Sequence, residues 1–451
     1  TQILHNELKE ALGCTEPIAI AYAAAYATKL LGRLAEHFRV SCSGNIIKNV
    51  KAVTVPQTGG MTGIEAAVLI GAIGGDADLG MQVLTCVTDA DRETLRACME
   101  KHMVEVSLLE SEHVLHIVIE ATSGSDCVSV EIIDSHTQLG TVIKNGVVLH
   151  ELEAVAVEDN RRLYETLNIE SILTYADTVD LETVRDVLQR QVDCNLAIAR
   201  EGLEHGWGES VGKTLIARDN TLYTKLAATA AAGSDARMNG CALPVVINSG
   251  SGNQGMTIGI PVALYAQEKG LSKEKMYRGL CVANLIAAHQ KTSIGKLSAF
   301  CGAVSAAAGA ACGIAYLDGA AIDVISQTLI NCIATIGGMV CDGAKSSCAG
   351  KIAAALNTAF LGYEMAKAQH VFRSGEGIVK DDVEQTITSV GRMAAKGMRS
   401  TDTEILNILI GKYPPSPRLC AAKASSGGRQ CSAARGGTKC GFLVQGSPVS
   451  S

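Results

Sequence analysis

Aromatic side chains are scarce in this chain: they make up 4% of 451 residues, with five Phe and a single Trp, and charged residues reach only 19%. Rings cannot fill a core from such a supply. It has to be built by close backbone approach through the abundant Ala and the 46 Gly, which points to helices packed at small-residue contacts. Basic clusters are missing as well, and a net charge of −7 with a pI near 5.8 lacks the footprint of a nucleic-acid binder. The most weakly polar run, residues 299–317, is mostly Ala and Gly and contains Ser305. It lacks the Leu, Ile and Phe density of a bilayer span, so no membrane partner is expected. The chain opens at Thr1, and no charged segment followed by an apolar stretch precedes its first helical signal. A reducing, cytoplasmic setting therefore suits the 16 cysteines better than a disulfide framework. No Walker lysine loop occurs, and no Schiff-base lysine with a phosphate cup can be identified.

The length allows two or three domains. Residues 1–37 read as an N-terminal helical segment, 38–154 as a mixed α/β domain, 155–412 as a helical catalytic domain, and 413–451 as a disordered tail. The expected class is α+β: a mainly helical catalytic domain of Ala/Gly-rich packed helices plus a smaller mixed α/β domain. Residues 8–13 predict the end of a short helix at Gly13, and Pro17 opens the Ala-rich helix over 18–31. Residues 50–55 read as a strand, 56–63 as a glycine-rich loop and 64–73 as a small-residue helix. Segments 104–109, 113–121, 128–134 and 140–148 alternate with turns such as Lys144-Asn145-Gly146, predicting a hairpin-rich sheet. Beyond residue 163 the pattern is helical, with helices over 273–288, 297–315, 321–336, 344–368 and 382–396.

Three features carry chemistry. Cys301, Cys341 and Cys348 are separated by 39 and six residues; three thiolates can hold an iron–sulfur cubane and leave one iron open as a Lewis acid. They also suit a core of small buried residues. Cys14 stands just ahead of a helix N-terminus, where free N–H groups favour a thiolate, or where a small residue suits a tight turn. The polar stretch of residues 234–240 and Asn248-Ser249-Gly250-Ser251-Gly252-Asn253-Gln254-Gly255 reads as a loop that can wrap a carboxylate, or as a flexible linker. His136 is a further candidate for reaching a substrate, although a lone His more often serves structure. Arg237 and Lys291 are candidates for a carboxylate, but at helix ends such residues are usually solvated.

Together these motifs resemble a known family. Gly13-Cys14-Thr15-Glu16-Pro17, Lys48-Asn49, Val53-Thr54-Val55-Pro56, Ser234-Asp235-Ala236-Arg237, residues 248–255, Leu297-Ser298 with Cys301, and Cys341-Asp342-Gly343-Ala344 with Cys348 are similar to the L-cysteine desulfidases. These are related to the alpha part of iron–sulfur L-serine dehydratases. The resemblance covers residues 8–409; the tail with Cys420, Cys431 and Cys440 has no counterpart in it. It implies α,β-elimination of L-cysteine to hydrogen sulfide, ammonia and pyruvate with a 4Fe-4S cluster, held by Cys301, Cys341 and Cys348, and with Cys14 as proton acceptor. L-serine dehydration and a non-catalytic iron–sulfur sensor remain as alternatives, and a homo-oligomer is compatible with either.

Overall fold

Helix α2 (Thr15–Leu31) runs through the molecule with nearly every side chain buried. Its Ala-rich surface gives neighbours no bulky side chain to avoid, so they approach on several sides. It ends at Gly32 in a left-handed conformation, φ 79. The computed structural model describes residues 1–152, 162–295, 298–409 and 411–412, and residues Thr1–Leu409 form one compact unit.

Ahead of α2 lie α1 (Gln2–Glu7) and the short strand β1 (Glu10–Leu12). The helical expectation for residues 8–13 is thus corrected. Glu10, Ala11 and Leu12 pair antiparallel with β8 (Pro244–Val246), a partner far along the chain whose pull no local pattern contains. After α2 come β2 (His37–Cys42), α3 (Gly44–Val50), α4 (Ile64–Gly74) and α5 (Asp89–Glu100). The strand expected over 50–55 is absent, since Val50 closes α3 and only Thr54 makes an isolated bridge, to Thr62. Strand β2, which composition alone does not mark, lies inside the main sheet.

That sheet has the order β3-β2-β4-β5-β6-β7, with β3 (Val104–Leu108), β4 (His116–Ser123), β5 (Asp126–Ile133), β6 (Leu139–Lys144) and β7 (Val147–His150). Strands β2 and β3 are parallel and the rest antiparallel. Strict alternation along β4 turns Ile117, Ile119 and Ala121 inward beside Val128, Val130 and Ile132 of β5. The β6–β7 turn is the expected Asn145-Gly146 pair, both with positive φ.

Further helices are α6 (Ile169–Thr178), α7 (Arg185–Glu204), α8 (Val211–Arg218), α9 (Leu222–Met238), α10 (Gly252–Glu268), α11 (Lys273–Ile294), α12 (Gly302–Leu317), α13 (Ile322–Ile336), α14 (Cys348–Lys367), α15 (Val383–Arg392) and α16 (Arg399–Leu409). Asp382 caps α15 by accepting from the Gln385 N–H. Small residues set the crossings: a Cβ on Gly202 of α7 would stand 1.9 Å from the Ala232 carbonyl oxygen of α9. The architecture is α+β and mainly helical, as the composition implies.

Two expectations change here. Residues 234–238 belong to buried α9 rather than to a loop, where Asp235 accepts from the Gly212 N–H and Arg237 donates to the Gly13 carbonyl and Asn253. Helices α12 and α14 begin at Gly302 and Cys348, later than expected, since the preceding residues are held in turns and a bridge. The tail of 413–451 lies outside the described residues. Among those described, no helix is long and apolar enough to cross a membrane.

Candidate functional site

Cys14, Cys301, Cys341 and Cys348 all line one cavity of about 100 Å³. Four helices begin at its wall. Cys14 is the N-cap of α2, Ser251 of α10 and Cys301 of α12, and Cys348 is the first residue of α14. Their unsatisfied N–H groups and aligned dipoles make the cavity favourable to negative charge.

Each thiol is placed by its own local device. Gly13 takes φ +65, and a Cβ there would stand 2.0 Å from Cγ of Pro56, so only glycine fits the turn into Cys14. Cys301 and Cys341 are joined through the bridge of Phe300 with Val340. The Cys301 N–H donates to the Met339 carbonyl at 2.8 Å and the Cys341 N–H to the Ala299 carbonyl at 2.7 Å. The Cys348 thiol points toward the Gly343 carbonyl oxygen, 3.8 Å away.

The thiols are not electrostatically alike. Contact with Cys301, together with the Lys48 and Lys351 charges, draws Cys341 below the usual thiol range against the opposing effect of burial. Cys301 is pushed up by that same contact and by burial, and Cys348 by burial. Lys48 itself is held by an ion pair with Asp402 at 2.5 Å. Burial brings Lys291 down to about 8, opposed by the charges of Cys341, Cys301 and Glu7.

Cys14 corrects the sequence expectation. Burial, then the neighbouring Glu16 carboxylate, raises its thiol well above the ordinary value. A helix N-terminus is worth about 0.3–1 kcal/mol at exposed sites, less than the several kcal/mol that burial of an ion costs. The thiol donates to Glu16 Oε2 at 3.2 Å. Glu16 also accepts from Thr15 Oγ1 and Asn49 Nδ2, each at 3.0 Å.

Of the expected substrate loop, Ser251 and Asn253 line the cavity. Asn248 faces inward to Asn284, the Ser249 N–H donates to Glu7 Oε2 at 2.6 Å, and Gly250 lies under His136, whose Cε1 is 2.9 Å from where a Cβ would be. Residues 248–251 form a tight turn and Gly252 already begins α10. His136 packs on that turn and Gly252 against Arg237, and neither is among the lining residues. Arg237 and Lys291, expected to be solvated, are 2% and 6% exposed and line the cavity. Glu16, Asn49, Gln254 and Lys351 also line it. Glu16, Asn49 and Gln254 stand inside motifs visible in the sequence, whereas nothing local marks Lys351.

Among the described residues, no three His, Cys, Asp or Glu side chains converge tightly enough for a single ion.

A family model described as serine dehydratase alpha chain matches residues 78–407. A "UPF0597 protein" of Finegoldia magna is 46% identical over 413 residues, covering 91% of this chain and 99% of its own. Proteins of the same name from Lachnoclostridium phytofermentans, at 46% with 90% and 98% covered, and Treponema denticola, at 43% with 91% and 97%, are similar to it as well.

Proposed function

The chain belongs to the serine dehydratase alpha-chain family, a family of lyases, and from that premise we propose that it is an iron–sulfur-dependent lyase. The proposed reaction splits L-cysteine into hydrogen sulfide, pyruvate and ammonia. The observation that carries this reading is the presence of Cys14 with Cys301, Cys341 and Cys348 on the wall of one small cavity.

The residues suit a cluster. Three thiols come from separate segments, with helix N-termini beneath two of them and the Lys48 and Lys351 charges favouring the thiolate of Cys341. A 4Fe-4S cluster held by Cys301, Cys341 and Cys348 would supply a Lewis-acidic iron for the departing sulfur.

The chain's own residues do the rest. Cys14 is the base for the Cα proton, and its own thiol proton has a receiver in Glu16 Oε2, which already accepts its hydrogen bond. As the Cα–H bond breaks, its electron pair forms the Cα–Cβ double bond and the Cβ–S bond releases sulfide. The resulting enamine tautomerises to an imine, and water hydrolyses it to pyruvate and ammonia. Phe300, Ala303, Ala344 and Ile352 give the cavity apolar wall that limits water.

L-serine dehydration is the second reading, favoured by the family's match to serine dehydratase alpha chains. The test is anaerobic reconstitution with iron and sulfide, then assay of pyruvate from each substrate and of sulfide from L-cysteine. Faster turnover of L-cysteine supports the proposal, and pyruvate from L-serine alone assigns a serine dehydratase. Cluster incorporation without turnover of either leaves a sensor.

A further inference from the structure

Arg237 is a buried cation with no ion pair among the described residues. Its Nε donates to the Gly13 carbonyl at 2.9 Å and its Nη1 to Asn253 Oδ1 at 3.1 Å, while Nη2 is buried without a hydrogen-bond partner. An unpaired buried guanidinium costs several kcal/mol. Lys48, another buried cation at this site, has its counter-ion in Asp402. Arg237 has only neutral hydrogen-bond partners, and it lines the cavity.

The geometry points to Arg237 as the receptor for the substrate's α-carboxylate, with its Nη1–Nη2 edge presented to the two oxygens. Guanidinium and carboxylate match in this bidentate manner, and the pairing compensates the buried charge only when substrate is present. This deepens the proposed lyase reading and rests on it for the identity of the substrate. It also orients the substrate. The carbonyl that holds Nε belongs to Gly13, so a carboxylate on Arg237 lies one residue from Cys14, the proposed base. The chemical class follows: small α-amino acids with a free carboxylate, and not the corresponding amines. Asn253 acts through Arg237 by holding Nη1 with an uncharged oxygen, which leaves the positive charge for the ligand.

The test is calorimetric binding of L-alanine, which carries the carboxylate and amine without a leaving group, to the reconstituted full chain. Wild type is expected to bind L-alanine and not ethylamine, the same molecule without its carboxylate. R237Q is expected to weaken L-alanine about 30-fold or more, as loss of a buried charged partner does. N253D places a carboxylate on the guanidinium from within, and is expected to weaken binding about 10-fold or more by the same logic. An R237Q protein that melts with wild type and binds L-alanine within about threefold of it would overturn the inference, by the same standard of buried-charge loss. So would equal binding of ethylamine, or no binding of L-alanine by wild type. If R237Q fails to fold, unchanged affinity in N253D overturns it equally. Arginine-dependent binding without lyase turnover upholds the receptor and sinks the lyase, whereas turnover with an unchanged R237Q Michaelis constant does the reverse.

Discussion

Phe300 and Val340 form an antiparallel bridge, and that contact brings Cys301 beside Cys341 although 39 residues of chain separate them. The frame is backbone: the amides of Cys301 and Cys341 donate to the carbonyls of Met339 and Ala299. The thiols themselves contribute nothing to it.

Cys341→Ala should therefore fold and lose the cluster. The expected result is a melting temperature of the protein without iron close to wild type, with iron and acid-labile sulfide after reconstitution reduced to background. Full iron loading in this variant would remove Cys341 from the ligand set.

Cys14→Ala should do the opposite. The cysteine is a base in this account and not a ligand, so iron content and visible absorption stay while kcat falls about 10²–10⁴-fold, the usual worth of a positioned base. Loss of iron together with activity would reassign it.

The pH dependence follows from what surrounds Cys14. Burial and the Glu16 charge raise its thiol, and the base works only when deprotonated. Activity as kcat/KM should thus rise with pH through the ordinary thiol range and above it. Glu16→Gln removes a negative neighbour, which makes ionisation easier and moves the rise to lower pH. The maximum should fall too, because an amide cannot receive the thiol proton. A rise displaced to higher pH in E16Q would contradict the account.

Packing gives a prediction independent of chemistry. Gly202→Ala sets a methyl group 1.9 Å from the Ala232 carbonyl oxygen, and both partners are helix backbone with little room to yield. Overpacking of this kind costs about 1–3 kcal/mol. Urea unfolding should show that loss with the slope unchanged.

What could be seen in the sequence depended on how local its cause was. The Asn145-Gly146 hairpin is decided by a few adjacent residues, and the structure has it as read; α2 also follows Cys14, but it begins at Thr15, ahead of Pro17. Strand β1 owes its conformation to β8, far along the chain, so residues 8–13 looked helical. Ser234-Asp235-Ala236-Arg237 looked like loop because polar residues are usually exposed, yet they sit in buried α9 with Gly13, Gly212 and Asn253 as partners. The same habit of reading a cation as solvated weighed against Arg237 and Lys291 as carboxylate partners, yet both line the cavity. The cysteines were visible only through the company of several motifs, since their spacing alone is common in a chain with 16 of them.

The central claim is that Cys301, Cys341 and Cys348 hold a cluster whose open iron meets the substrate in the cavity shared with Cys14. The most direct measurement is the Mössbauer spectrum of protein reconstituted with ⁵⁷Fe, recorded without and with L-serine. The account predicts one iron site whose isomer shift changes on adding the amino acid while the others hold. A cluster spectrum that L-serine and L-cysteine both leave unchanged would contradict it.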